Sequence, residues 1–233
     1  MKLLAVDTSG PVCGVAVLTD GRVAFECMTQ NKLTHSVNLL PMIDSALTSC
    51  GLRPEELDRV AVVTGPGSFT GVRLGVSTVK GLSHGCGAAC VAVDALEAMA
   101  HSAGQFDGVV CPIQDARAGQ VYGAAFDGTA AHCRLLPDAP MKLEDYVRAI
   151  EPLGERFLFL GDGMPVHEKR LRQLLGERAV TAPPQLAFLR PSAVAVLGER
   201  ATETLDYRAL MPMYLRAPNA ERNKKLMEAA AHE

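Results

Sequence analysis

The sequence has no excess of positive charge. Its 233 residues include 23 Lys and Arg against 26 Asp and Glu, for a formal net charge of −3. A dedicated nucleic-acid-binding protein usually carries a clear basic excess on one surface. The composition therefore excludes a chain whose main activity is electrostatic binding of RNA or DNA, and any RNA contact is expected to be local or shared with a partner.

Long apolar runs and paired cysteine motifs are also missing. The opening MKLLAVDTSG has a short apolar run that Asp7 interrupts, and this run is too short for a signal peptide or a membrane span. The 7 cysteines are scattered without a Cys-x-x-Cys spacing. This pattern favours a reducing compartment over a disulfide framework or a zinc knuckle. We expect a cytoplasmic protein with no membrane partner and no metal site.

Several catalytic motifs are absent as well. The loop VTGPGSFTGVRLGV (63–76) has the glycines of a phosphate cradle, but Gly71 is followed by Val72 and Arg73 instead of the Walker lysine. The dinucleotide fingerprint also fails, because Thr70 stands where its third glycine belongs. No His-Glu-x-x-His motif occurs. A Ser-x-x-Lys (77–80) and a Gly-x-Ser-x-Gly (81–85) fall inside the helix predicted over 70–86 and not at the strand-to-helix turn of a nucleophile elbow, so hydrolase activity is not expected.

An internal repeat is present. VVCPIQDARAGQVYGAAFDG (109–128) repeats the pattern of KLLAVDTSGPVCGVAVLTDG (2–21), with Asp115 matching Asp7 and both segments ending in Asp-Gly hairpin signals. Two chance hairpins are the alternative explanation. The element order that follows each, β-β-β-α-β-α overall, favours duplication. We predict an α/β fold of two similar subdomains, each a mixed sheet flanked by helices, with a cleft between them.

The helix predicted after the glycine-rich loop carries Gly71 and Gly75 on one face, continued by Thr78 or Val79 and by Leu82. Glycine costs about 1 kcal/mol of helix propensity, so a close contact is expected at this face. Internal packing and a protein–protein seam both explain it.

A second predicted helix begins near Thr34, and its residues His35, Leu39 and Met42 share one stripe. We predict that the two helices form a partner surface, so that a Gly75→Arg change abolishes pairing and leaves the monomer folded. The predicted interface residues are His35, Leu39, Met42, Gly71, Val72, Arg73, Gly75, Thr78, Val79 and Leu82.

The predicted cleft gathers the loops that follow the strands. Asp7 and Asp115 have the chemistry to hold a magnesium-bound water there, and the alternative is that each caps its own turn. A vestigial nucleotide cleft would contain Asp7, Gly65, Gly67, Ser68, Asp115, Gly161 and Gly163.

Five segments together resemble the bacterial TsaB (YeaZ) family: LLAVDTS, HSVNLLPMI, GPGSFTGVRLGV, DARAGQVYGAAF and MPMYLR. The likeness runs from Lys2 to Arg216. It implies an actin/Hsp70-like ATPase (ASKHA) fold with subdomains at 1–104 and 105–233. A helix near 191–204 is expected to pack back on the first subdomain.

The resemblance also implies a role. Family members act as the partner of the paralogue TsaD, which transfers a threonylcarbamoyl group to the adenosine beside the tRNA anticodon. The ATPase TsaE joins the assembly, and family members also self-associate as homodimers. Catalytic relatives carry a His-x-x-x-His metal pair, whereas here Ala95 and Met99 occupy those positions. We expect a non-catalytic subunit that meets tRNA through the complex and requires no cofactor of its own, with weak or vestigial binding of ATP or ADP and Mg left open.

Two other functions stay open at this point. One is a stand-alone ATPase or phosphotransferase that uses Asp7 and Asp115, and the other is a self-associating regulator with no tRNA role. The terminal segment carries four positive charges interspersed with Glu221 and Glu228, and we interpret it as a solvated tail rather than an RNA contact. These charges are Arg216, Arg222, Lys224 and Lys225.

Overall fold

A computed structural model describes residues 1–31 and 33–215 of the chain. The elements follow the predicted repeat, three strands and then alternating helices and strands in each half. The first half consists of β1 (Lys2–Asp7), β2 (Cys13–Thr19), β3 (Arg22–Thr29), α1 (His35–Ser49), β4 (Arg59–Gly65), α2 (Phe69–Cys86), β5 (Ala89–Asp94) and α3 (Ala95–Ala103). The second half consists of β6 (Val109–Asp115), β7 (Gln120–Asp127), β8 (Arg134–Lys142), α4 (Leu143–Ile150), β9 (Phe157–Leu160), α5 (Met164–Leu175), β10 (Ala179–Thr181) and α6 (Pro191–Arg200).

The two sheets have the same topology. The first has the order β3-β2-β1-β4-β5 and the second the order β8-β7-β6-β9-β10. In each, the first three strands in sequence pair antiparallel, and the fourth and fifth join parallel to the first. This equivalence confirms the predicted duplication and the actin/Hsp70-like fold class.

The core forms in three layers because strand side chains alternate between the two faces of a sheet. Leu4 and Val6 of β1 face α1 and α2, while Leu3 and Ala5 face a central layer that holds α3 and α6. The outer face of the second sheet packs against α4 and α5. The inner helices therefore lie between the sheets, and α1 and α2 form one outer face of the molecule.

Helix α6 belongs to the second half in sequence but lies on the first sheet. A Cβ placed at Gly198 would come 2.6 Å from the Cβ of Ala61 in β4, so the helix approaches the strand closely. The Arg59 guanidinium donates to the carbonyl oxygens of Gly198 (3.0 Å) and Ala201 (2.9 Å) at the helix C-terminus, where a cation is favoured. We call each sheet, together with the helices that pack on it, a lobe. Helix α6 therefore completes the first lobe.

The segment that follows α6, residues 201–215, crosses the first lobe, and we call it the strap. It forms an antiparallel bridge between Leu205 and Cys90 at the edge of β5. Lys80 Nζ donates to the Leu210 carbonyl at 3.1 Å, and the Met213 amide donates to the Thr64 carbonyl at 2.8 Å. The predicted basic tail at Arg216, Arg222, Lys224 and Lys225 lies outside the described residues.

Two local predictions need correction. The first hairpin turns at Asp20-Gly21 with positive φ values of 49° and 76°, as predicted, but Asp127-Gly128 opens a longer connection that ends only at Arg134. The proline at position 41 predicts a kink or a broken turn in the helix that begins near Thr34, and α1 instead runs unbroken through it from His35 to Ser49.

Over the two described ranges, we find no helix that combines the length and the apolar character needed to cross a membrane.

Candidate functional site

The glycine-rich loop joins β4 to α2 and enters the helix through a cap. Ser68 is the N-cap residue, and its Oγ accepts from the Gly71 amide at 3.3 Å. The Ser68 amide in turn donates to the Ser9 carbonyl at 2.7 Å, which fixes the loop against the turn after β1. A Cβ at Gly67 would lie 2.5 Å from that same carbonyl, so the loop passes too close for any side chain at this position.

The glycine face of α2 packs internally. A Cβ at Gly71 would lie 2.0 Å from the Thr8 carbonyl oxygen, and one at Gly75 would lie 2.5 Å from Thr8 Oγ1. Thr8 Oγ1 also donates to the Gly71 carbonyl at 2.7 Å. The assignment of these two glycines to a partner seam was therefore wrong, and internal packing is the correct alternative.

Other predicted interface residues also make their contacts within the chain. Leu39, Val72 and Val79 are at most 2% exposed, because they face the first sheet. His35 Nε2 lies 2.9 Å from the Gly10 carbonyl oxygen. The assignment of the three core residues to the interface was wrong, since their side chains are buried and a partner cannot contact them.

Five predicted residues retain some surface. The residues His35, Met42, Thr78 and Leu82 are half-buried, and Arg73 is exposed. The Arg73 guanidinium lies 3.8 Å from the centre of the Phe69 ring, and its Nε donates to Tyr214 Oη at 2.7 Å. Arg73 therefore ties the start of α2 to the strap, and its availability to a partner stays a prediction.

The outer face of α1 and α2 carries a different set of residues. Val37 and Leu40 are 57% and 63% exposed on the side of α1 that faces away from the core, and Leu33, two residues before the helix, is 56% exposed. On α2, Ser77 and Gly81 are exposed, and a Cβ at Gly81 would meet no atom within 4 Å. We call these five residues the outer stripe. Sequence reasoning chose the stripe His35–Leu39–Met42 instead, although the second apolar stripe at Val37 and Leu40 was visible in the same helix.

Residues of both lobes line a cavity of about 320 Å³. Of the predicted cleft residues, Gly67, Ser68 and Asp115 line it, and Asp7 lines a small space beside it. Gly65, Gly161 and Gly163 do not line it. Instead they allow close backbone packing, since a Cβ at Gly65 would come 2.4 Å from the Met213 carbonyl oxygen and one at Gly161 would come 2.1 Å from that of Ile113.

Asp7 and Asp115 each cap their own turn, as the alternative interpretation held. Asp7 Oδ1 accepts from the amide and the hydroxyl of Ser9 at 2.8 and 2.7 Å, and Asp115 Oδ1 accepts from the Arg117 amide at 2.9 Å. Burial raises the pKa of Asp7. Local hydrogen bonds therefore account for the position of both carboxylates.

Sequence reasoning missed Gln114 and Asp162, which line both spaces. Gln114 is 2% exposed, and neither its Nε2 nor its Oε1 has a hydrogen-bond partner among the described residues; the same is true of Asp162 Oδ1. Buried polar atoms are nearly always paired. The one signal in the sequence was the polar Gln114, which with Asp115 ends an apolar run.

Asp162 gives the site a measurable pH dependence. Burial is the main cause that raises its pKa to about 6, above the usual value near 4. The folded state therefore holds this proton more tightly than the unfolded state, and stability falls as the pH rises from about 4 to 6. Asp162→Asn removes that loss, so its melting temperature should exceed that of the native protein by roughly 2–8 °C at pH 7.5 and converge with it near pH 4.

Thermal unfolding at the two pH values measures this effect. Asp107→Asn is the matched control, since the Asp107 side chain is fully exposed and its replacement should change neither melting temperature. An equal gain for Asp162→Asn at both pH values would contradict the assignment.

Comparisons with known proteins extend this description. A family model described as TsaD, tRNA N6-adenosine threonylcarbamoyltransferase, matches residues 29–224. The chain is 35% identical over 222 residues to the tRNA threonylcarbamoyladenosine biosynthesis protein TsaB of Bacillus subtilis (strain 168), covering 95% of this chain and 96% of that protein. It is 31% identical to the protein of the same name from Escherichia coli (strain K12), covering 93% and 95%.

Solved structures resemble the chain over a similar extent. YeaZ from Pseudomonas aeruginosa superposes with a TM-score of 0.75 at 26% identity, covering 92% of this chain and 99% of that one. A Pseudomonas aeruginosa protein described as similar to peptidase YEAZ superposes with a TM-score of 0.78 at 27% identity, with the same coverage.

Proposed function

The chain belongs to the TsaB (YeaZ) family of tRNA threonylcarbamoyladenosine biosynthesis proteins, and we propose that it acts in this process as a non-catalytic partner subunit. The observation that carries the proposal is the likeness to TsaB across 95% of the chain. Its partners would be a TsaD-type transferase and a TsaE-type ATPase, with tRNA bound through the complex and a homodimer formed through the same surface when they are absent.

Residue chemistry supports the non-catalytic part of the proposal. Catalytic relatives place a His-x-x-x-His pair at the positions of Ala95 and Met99. Here Ala95 is fully buried and Met99 is 4% exposed in the layer between the sheets. Neither side chain supplies the nitrogen or oxygen that a hard or borderline metal ion prefers. The transfer step would therefore take place in the partner.

The outer stripe supports the pairing part. Val37 and Leu40 expose apolar side chains on α1, and Leu33 adds a third just before the helix; the small residues Ser77 and Gly81 leave neighbouring α2 open to close approach. Clustered exposed apolar residues mark interaction surfaces. We propose that the partner packs helices against this stripe, while the predicted residues Met42, Thr78 and Leu82 border it.

A nucleotide-binding ATPase remains the second candidate, because the interlobe cavity meets the N-terminus of α2, where an anion is favoured. The described charged residues that line the cavity are Asp115, Asp162 and Arg117, which sum to −1. A net negative lining disfavours a polyphosphate. Tight magnesium-dependent ATP binding in a calorimetric titration of the isolated protein would favour this candidate instead.

A drop-out reconstitution tests the proposed function. TsaD, TsaE, a tRNA substrate and threonylcarbamoyl-adenylate are assayed for modified adenosine with and without the protein. We expect modification to rise at least about 100-fold when the protein is added, because an essential subunit completes the catalytic assembly. Modification that proceeds equally well without it would contradict the proposal.

A further inference from the structure

Three unpaired polar atoms belong to two residues that line the interlobe cavity. They are Gln114 Nε2, Gln114 Oε1 and Asp162 Oδ1, and none has a hydrogen-bond partner within residues 1–31 and 33–215. A buried amide without partners costs about 1–3 kcal/mol relative to a paired one. Gln114 is held in place by β6, whose backbone pairs with Tyr122 of β7. The side chain is therefore a fixed donor and acceptor that the fold itself leaves unused.

The opposite wall of the same cavity supplies an anion site. Phe69 and Thr70 occupy the first turn of α2 and line the cavity beside the cap residue Ser68. Amide groups in a first turn have no carbonyl partner within their helix. The helix dipole adds a partial positive charge at this end. A carboxylate or phosphate seated here would be stabilised from the first lobe while Gln114 faced it from the second.

The charged residues of the wall limit the ligand to a low charge. Asp115 and Asp162 belong to the second lobe, and Arg117 beside them is the only cation among the described lining residues. Two carboxylates next to Gln114 repel an anion from that end and attract N–H donors. The cavity therefore favours one negative group at α2 and a neutral, N–H-bearing group at Gln114.

The hydrogen-bonding groups of the Gln114 amide limit the chemistry of that neutral group. An ammonium group would satisfy Asp162 Oδ1 and Gln114 Oε1 but would offer nothing to Gln114 Nε2, which needs an acceptor. A urea or amide presents N–H donors and a carbonyl oxygen together and pairs with all three atoms. We propose that the cavity binds a ureido acid, with its carboxylate at the first turn of α2 and its urea group at Gln114 and Asp162.

This inference deepens the proposed function and rests on it for the identity of the ligand. A threonylcarbamoyl group carries the threonine carboxylate together with a carbonyl on the threonine nitrogen, and it becomes a ureido acid when that carbonyl is also bonded to the nitrogen of the adenosine. The subunit would then hold the transferred group, or the product that carries it, in addition to pairing with the transferase. The cavity volume of about 320 Å³ is within the range of small-molecule sites.

An NMR titration of the isolated full chain with N-carbamoyl-L-threonine tests the site. We expect saturable shifts of the Phe69 and Thr70 amide signals and of the Gln114 side-chain NH₂. Gln114→Leu should weaken binding at least about 10-fold, because two hydrogen bonds are lost. The variant should keep or exceed the native melting temperature, since leucine removes an unpaired buried polar group. Gln105→Leu, at an exposed glutamine, is the matched control and should bind like the native protein.

Several results would overturn the inference. These are the absence of saturable shifts, equal binding of L-threonine, binding that Gln114→Leu leaves unchanged, or preferential binding of ATP at the same signals. The reconstitution separates this failure from that of the proposed function. If modification still requires the protein while the ureido acid does not bind, only the ligand assignment fails. If the ureido acid binds as expected while modification does not require the protein, the proposed function fails and the site stands.

Discussion

Replacing Val37 with aspartate will weaken pairing with a TsaD-type partner at least roughly 30-fold, a loss of about 2 kcal/mol. Val37 lies in the middle of the outer stripe and is 57% exposed in the isolated chain. Docked helices would bury it, and a carboxylate buried without a partner is strongly disfavoured. The same change at Leu40, which is 63% exposed one turn further along α1, should weaken pairing by a similar factor.

Val166→Asp is the matched control. Val166 is 62% exposed on α5, a helix of the second lobe that is not part of the outer stripe. Titration calorimetry with the partner measures the affinity of each variant, and thermal unfolding checks that each is folded. Since all three side chains are exposed, their free energies of unfolding should change by no more than about 0.5 kcal/mol. Equal affinity of Val37→Asp and the native protein would remove α1 from the interface.

Gly75→Arg will unfold the first lobe. The new Cβ would lie 2.5 Å from Thr8 Oγ1 and 3.4 Å from Val62 Cγ2, in a buried contact between α2 and the first sheet. The rest of the side chain would force a guanidinium into that contact. Overpacking together with a buried charge should destabilise the protein by more than about 4 kcal/mol. This expectation reverses the prediction from sequence, in which the variant kept its fold and lost only its partner.

Gly81→Arg separates folding from pairing on the same helix. A Cβ at Gly81 meets no atom within 4 Å, so the monomer should remain folded and gain up to about 1 kcal/mol of helix propensity. A large charged side chain in the outer stripe should nevertheless block the partner. Urea unfolding gives the stabilities, and calorimetry gives the affinities. A folded Gly75→Arg monomer with native stability would contradict the internal packing of the glycine face.

Much of the fold could be predicted from the sequence because the duplication leaves a local pattern. Strands β1, β4, β5, β6 and β7 are short, mainly apolar runs that end at Asp or Gly. The helices after Thr34 and Ser68 begin at residues that commonly cap helices. The likeness between residues 2–21 and 109–128 then fixes the order of the elements in both halves. Asp7 and Asp115 were placed correctly at equivalent strand ends for the same reason.

The faces of the helices could not be assigned this way. Helix α1 is apolar at Leu39 and Ile43 on one side and at Val37 and Leu40 on the other, and only the position of the sheet decides which side is core. A pair of glycines in a helix indicates a close neighbour without identifying it. Here the neighbour is Thr8, more than sixty residues earlier in the chain.

The unpaired atoms of the cavity could not be predicted from the sequence, for a related reason. Gln114 in a strand and Asp162 in a Gly-Asp-Gly turn are ordinary residues until their neighbours are known. What makes them notable is the absence of partners among the described residues, which depends on how two distant halves meet.

The placement of α6 and the strap sets an order for synthesis on the ribosome. The inner face of the first sheet stays only partly covered, by α3, until α6 (Pro191–Arg200) has been made, and the outer core beneath α2 lacks Leu210 until the strap has followed. The second sheet is complete once Thr181 has emerged, and α3, which packs against β6 and β7, is already present by then. The half of the chain that is translated first is therefore the last to close, and a nascent chain stopped before residue 191 would expose an apolar sheet to chaperones and proteases.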